Sequence, residues 1–157
     1  PKANGIVLDA FEWAAKENGP GDRRFRIEHA HNASERDLSR FGRLNVIASM
    51  QPWLFSGSGS AIYARHLKLG TPLAFGSDAA IADFDPLLAI RFASTGPGAM
   101  TFHQAVRAYT VGAAYAEFQE SVKGTIEVGK LADFVILSSE LNVMMTFVDG
   151  RLVYDSK

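Results

Sequence analysis

Three short segments of this sequence carry side chains that could act on a ligand: Glu28-His29-Ala30-His31 and Gly76-Ser77-Asp78, which could bind a metal ion or move a proton, and Gln51-Pro52-Trp53, which could line a pocket. The sequence contains no cysteine, so thiolate metal sites, iron–sulfur clusters, cysteine nucleophiles and disulfides are all excluded. Any metal must be held by imidazole and carboxylate, a donor set that suits Zn²⁺ and also accepts iron, manganese or nickel. His29 and Asp78 are the first candidates for ligands. Asp78 has a second task open to it, since a carboxylate beside a metal ion can take a proton from water and hand it to a leaving group. The structural alternatives are a buried imidazole satisfied by a carbonyl for His29, and a turn-forming aspartate for Asp78. His31 lies two residues beyond His29, and on an extended segment the two rings would share a side and could chelate. Because the strand is expected to end near Ala30, a pocket or hydrogen-bonding role suits His31 better. Gln51 and Trp53 join it as candidate substrate-pocket residues, although Trp53 and Phe55 could equally fill a gap in the packing. His66 and His103 fall within predicted helices and read as core or surface spacers.

These side chains need a scaffold that brings distant segments together, and the pattern along the chain predicts one. Strands are expected at Phe25–Glu28, Asn45–Met50 and Pro72–Phe75, with a helical segment after each. The first helix precedes them all: Asn4 is expected to cap it, Ile6, Val7, Ala10, Phe11 and Ala14 to form its apolar face, and Gly19 to end it in a left-handed turn. Ser34 with Asp37 resembles a capping box for a short helix carrying Leu38 and Phe41 and stopped by Gly42. The Ser56–Ser60 stretch reads as a flexible loop before a helix over Ala61–Leu69 that stops at Gly70. Asp85 caps a helix with Pro86 at its first position, and Thr101 with Gln104 opens a longer one to about Phe118. Alternation of this kind implies parallel strands with crossover helices, in which ligand-binding side chains sit just past the strands' carboxyl ends. All three candidate segments lie there. Near Lys123–Gly124 the texture changes to strands alone: Asp133–Leu137, Val143–Val148 and Leu152–Tyr154, the last two joined by the Asp149-Gly150 hairpin turn. The expected organisation is therefore an α/β unit over residues 1–123 and β-strands over 124–157.

Composition narrows the function classes. With 157 residues, 47% of them hydrophobic and 21% charged, the chain can bury a core and is not a disordered sequence. Sixteen basic against 17 acidic residues leave a net charge of -1 with no basic block, which gives no electrostatic basis for nucleic-acid binding. Apolar runs such as Phe134–Leu137 are far shorter than the roughly 18 residues that span a bilayer, so a soluble chain without membrane partners is expected, the cytoplasm being favoured. The start at Pro1, with neither initiator Met nor leader, suggests that an earlier part is missing. Gly124-Thr-Ile-Glu-Val-Gly129-Lys130 nearly matches a phosphate-binding loop, but Leu131 stands where a hydroxyl is needed and a strand follows in place of a helix. Three βα units are too few for a complete eight-fold barrel of about 250 residues or for an ordinary doubly wound sheet.

Taken in order, Arg26-Ile-Glu-His-Ala30, Ser49-Met-Gln-Pro52, Phe75-Gly-Ser-Asp78, Ala108-Tyr-Thr-Val-Gly-Ala-Ala114, the Gly124–Leu137 segment and the closing Val148–Tyr154 hairpin resemble the amidohydrolase superfamily. The resemblance covers nearly the whole chain and points to the branch of N-acyl-D-amino-acid deacylases and formamide deformylases. It implies a partial TIM barrel, with this chain supplying strands six to eight of a (β/α)₈ fold and the C-terminal strands of a small β-sandwich. It further implies that His29 binds metal or substrate, and that Asp78 ligates the metal and shuttles the proton. The family's His-x-His pair, its bridging residue and its strand-five histidine have no counterpart here and would precede Pro1. His31 stands where the family pattern leads one to expect Gln.

The leading expectation is thus the C-terminal portion of a hydrolase that uses a divalent metal, Zn²⁺ first, to cleave a non-peptide carbon–nitrogen bond in a small-molecule substrate, the isolated chain being inactive. The competing expectation is a non-catalytic folding or interaction domain that self-associates through exposed barrel edges. A complete doubly wound binding domain ranks third.

Overall fold

The computed structural model describes residues 1–54, 59–81 and 83–157; residues 56–58 of the expected Ser56–Ser60 loop and the aromatic Phe55 lie outside the described residues. The chain forms two sheets, one parallel with helices around it and one antiparallel.

Helix α1 runs over Lys2–Asn18 with Pro1 as its N-cap, so Asn4 does not cap it. Asn4 instead lies buried in the first turn, in one stripe with Leu8 and Phe11 at spacings of four and three residues. Ile6 lies two positions from Leu8, about 200° around the helix, and is 59% exposed; Ala10 is exposed as well, so the apolar face is rotated from the expected one. Gly19 does end the helix, at φ 70°.

Strands β1 (Arg26–Glu28), β2 (Ile47–Met50) and β3 (Leu73–Phe75) pair in parallel in the order β1-β2-β3, with Glu28 opposite Ser49 and Ser49 opposite Ala74. Period-two alternation gives the sheet two unlike faces. Ile27, Ala48, Met50, Leu73 and Phe75 point into a continuous core with Leu8, Phe41 and Tyr63. Arg26, Glu28 and Ser49 occupy the other face together with Ile47 and Ala74, which are buried against Ala116 and Tyr115.

Helix α2 (Glu35–Arg43) begins at Ser34, whose Oγ accepts from the Asp37 N–H at 3.2 Å as the capping pattern predicts. It does not stop at Gly42. A Cβ built on Gly42 would meet the Leu69 carbonyl oxygen at 1.9 Å, so the glycine permits close packing of helix against chain. Arg40 is nearly buried and binds Asp37, Asp9 and Glu12 at 2.6–3.0 Å, tying α2 to α1. Helix α3 (Ala61–Lys68) follows β2 and gives way at Gly70, φ 75°.

After β3, α4 (Pro86–Ala93) starts at the Asp85 cap, whose Oδ1 accepts from the Leu87 N–H at 2.8 Å. Helix α5 (Phe102–Arg107) opens with the complete Thr101–Gln104 capping box, widens into a π-turn over Ala108–Gly112 and ends as α6 (Ala113–Ala116). Gly112 sits against β3, where a Cβ would meet the Leu73 carbonyl oxygen at 2.0 Å.

Strands β4 (Phe134–Leu137), β5 (Val143–Val148) and β6 (Arg151–Asp155) make the antiparallel sheet in that order. The β5–β6 turn has Asp149 at φ 52° and Gly150 at φ 72°, the doubly positive geometry for which Asp-Gly is suited. No helix follows the Gly124–Lys130 segment, and Lys130 Nζ is held by Thr125 Oγ1 at 2.5 Å.

Candidate functional site

The three parallel strands end on one rim. β1 runs out at Glu28, and His29 turns the chain in the left-handed region at φ 55°, leading into a short 3₁₀ turn over Ala30–Asn32. β3 runs out at Phe75, and three residues on Asp78 also takes positive φ, 57°. Non-glycine residues enter this region at some cost, least for Asn, Asp and His, so these side chains are aimed by a backbone that the surrounding fold holds in place. Tyr109 helps to hold it: its hydroxyl donates to the Gly76 carbonyl at 3.2 Å. Burial pushes that phenol up to about 12, which keeps it a donor.

His29 Nε2 lies 3.7 Å from Asp78 Oδ2, and both side chains are near half exposed, at 47% and 40%. On its other nitrogen, Nδ1, His29 meets Gln51 Oε1 at 2.8 Å. Gln51 follows directly after β2 and is buried. The site thus joins the ends of all three strands through two side-chain contacts. A cavity of about 390 Å³ opens over it, lined by Arg26, Glu28, His29, Ser49, Gln51, Gly76 and Asp78 among others.

His31 is 3% exposed and accepts the Gln51 backbone N–H on Nε2 at 3.0 Å. Burial pushes its imidazole down to about 4, so it is neutral at pH 7. It does not line the first cavity; it borders a second of about 540 Å³ beside Asn32 and Arg65. Trp53 stands apart from the cluster, 42% exposed with its ring edge-on to Phe92 at 6.5 Å between centroids. His66 is fully buried, edge-on to Phe41, with Nδ1 3.3 Å from Thr71 Oγ1, while His103 is exposed.

Two cavity side chains, Arg26 and Ser49, are given no role by the sequence pattern. Arg26 and Glu28 pair at 2.7 Å on the cavity face of β1, and Ser49 lies beside Glu28 on β2. The signal was available in the alternation Arg26-Ile27-Glu28 and Ala48-Ser49-Met50, where polar residues inside strands mark a face that is not core.

Residues 2–154 match the description of the amidohydrolase family. Protein LONG AFTER FAR-RED 3 of Arabidopsis thaliana is 34% identical, covering 98% of this chain and 32% of its own length. The N-substituted formamide deformylase of Arthrobacter pascens is 30% identical, covering 96% of this chain and 34% of its own. An uncharacterized metal-dependent hydrolase of Pyrococcus horikoshii superposes with a TM-score of 0.71 at 26% identity, over 98% of this chain and 34% of that one. The chain spans about a third of the length of the curated relatives it matches.

Proposed function

We propose that this chain, which belongs to the amidohydrolase family, carries part of the active site of a metal-dependent hydrolase that cleaves a carbon–nitrogen bond other than a peptide bond. The carrying observation is the 3.7 Å approach of His29 Nε2 to Asp78 Oδ2 across the ends of β1 and β3, strands that β2 separates in the sheet. An imidazole and a carboxylate are suitable donors for a divalent ion such as Zn²⁺, and a zinc site takes about three protein ligands. Among the described residues no group of three His, Asp or Glu is placed to hold an ion, so these two fit as part of a ligand set. When bound, such an ion supplies the Lewis acidity that makes water nucleophilic near neutral pH.

The residues of this chain supply the rest. Asp78 takes a proton on its carboxylate from the attacking water and returns it to the departing nitrogen, so that an amine leaves neutral. His29 is the imidazole ligand. Gln51 lines the substrate cavity with Arg26 and Glu28, His31 braces Gln51 from outside that cavity, and Trp53, expected in the pocket, does not line it. The printed names of relatives support an amide-type small-molecule substrate, a formamide in one case. Among the described residues no helix is long and apolar enough to cross a membrane.

In this reading β1, β2 and β3 serve as strands six to eight of a (β/α)₈ barrel, with residues 1–123 in the barrel and 124–157 in a composite sandwich. Two metal donors alone make the isolated chain inactive. A second reading, a non-catalytic folding or interaction domain, is favoured by one observation: Val135, Ile136, Leu152 and Val153 of the antiparallel sheet are 44–59% exposed. It predicts self-association of the isolated chain, which sedimentation would reveal.

The test of the first reading is amine release from a panel of N-substituted formamides and N-acyl amides by the full-length protein, before and after chelation. Loss of turnover on chelation and its return with Zn²⁺ are expected. Turnover that survives rigorous metal removal would overturn the reading.

A further inference from the structure

Two histidines beyond the end of β1 meet at a single residue beyond the end of β2, and the directions of its hydrogen bonds fix where the protons lie. The Gln51 backbone N–H points to His31 Nε2 at 3.0 Å, and the Gln51 side-chain Oε1 lies 2.8 Å from His29 Nδ1. A backbone N–H only donates and an amide oxygen only accepts. His31 Nε2 is therefore an acceptor and carries no proton. His29 must donate from Nδ1, which leaves Nε2, the nitrogen on the Asp78 side, as the unprotonated one in the neutral ring. Oε1 also comes within 3.3 Å of His31 Nε2, but both atoms are acceptors, so this approach is no hydrogen bond and the partner of the amide is His29.

We infer that Gln51 is a positioning residue: its amide oxygen locks His29 in the Nδ1–H tautomer and so presents Nε2 as a lone pair on the side of Asp78, while its backbone N–H braces the same residue against His31. The value of the lock is chemical. An imidazole can bind a metal ion, or take a proton, only through an unprotonated nitrogen, and the choice of nitrogen is set by the hydrogen bond that the other one makes. Without an acceptor at Nδ1, the His29 proton would gain by moving to Nε2, where the Asp78 carboxylate faces it, and the pair would close on itself. Gln51 is itself buried, so its amide has few alternative partners. The use of the lock rests on the metallohydrolase reading above; its existence does not.

The experiment reads the tautomer directly. Long-range proton–nitrogen correlation spectra of nitrogen-15-labelled, metal-stripped full-length protein report which ring nitrogen of each histidine is protonated, with His29 identified by the signals lost in His29→Gln. The expected pattern for His29 is a protonated Nδ1 and a bare Nε2. Gln51→Leu, which removes the acceptor, should move the proton to Nε2 and weaken Zn²⁺ binding by about 10–100-fold. Gln51→Glu, which keeps an acceptor oxygen in place, should retain the Nδ1–H pattern and guards against a folding defect in the leucine variant. A His29 protonated on Nε2 in the unsubstituted protein, as an amide turned to present its NH₂ would give, overturns the inference. So does a pattern unchanged in Gln51→Leu. Since these spectra are taken without metal, failure of the metallohydrolase reading would show separately, as absence of Zn²⁺ binding with the tautomer intact.

Discussion

The two faces of the parallel sheet differ in how much apolar packing each carries and in what each leaves open. On one, Ile27, Ala48, Met50, Leu73 and Phe75 are at most 8% exposed and merge with Leu8, Phe41 and Tyr63 into one core. On the other, the same three strands present Arg26, Glu28 and Ser49 to a cavity, with His29, Gln51 and Asp78 at its rim. Burial on the first face specifies the register, because a one-residue slip would send its apolar set to the cavity and bring the charges into the core. The second face packs as well, through Ile47 and Ala74 against Ala116 and Tyr115, but leaves Arg26, Glu28 and Ser49 open to the cavity, where polar groups that a core would not tolerate can stand. The proposed site thus lies on the face that carries the smaller share of the apolar packing.

Substitutions on the two faces should separate accordingly. The largest effect on stability is expected for Phe41→Ala, which removes a fully buried ring from the core face and should cost about 3–5 kcal/mol in denaturant unfolding. Acidification should find the same face. His66 is fully buried beside Phe41, and burial lowers its pKa from 6.5 to about 4. The unfolded chain therefore binds a proton at this residue that the folded chain refuses, so stability is full above pH 6.5 and declines as pH falls from 6.5 towards 4. The decline from this one group should reach at most about 3 kcal/mol, and a melting temperature flat across that window would contradict it. The smallest effect is expected on the cavity face: Arg26→Gln breaks a half-exposed pair with Glu28 and should change stability by less than about 1 kcal/mol.

The same contrast explains what could be read from the sequence. Parallel pairing, the helix caps at Ser34, Asp85 and Thr101, and the Asp149-Gly150 hairpin all follow from local chemistry, and the structure contains each of them. That His29, Gln51 and Asp78 reach one rim follows from their places at the ends of parallel strands. The bonds among them do not, because they depend on left-handed turns at His29 and Asp78 that no neighbouring glycine announces. Asn4 and Gly42 were misleading for a related reason. Each has a common local role, as cap or stop, and each is used here for tertiary packing: Asn4 is buried in α1, and Gly42 lies against the Leu69 carbonyl. Local propensity yields where the chain packs on itself.

If chemistry belongs to the cavity rim and the larger share of the apolar packing to the opposite face, then Asp78→Asn should abolish one without touching the other. Asparagine suits positive φ as aspartate does, so the turn at Asp78 should survive the exchange. The decisive measurement is the rate of amine release by the full-length Asp78→Asn protein, with its melting temperature taken on the same preparation. A fall in turnover of about 10²–10⁴-fold at an unchanged melting temperature is the predicted result. Turnover equal to that of the unsubstituted protein would contradict the assignment of Asp78 and, with it, the division of labour between the two faces.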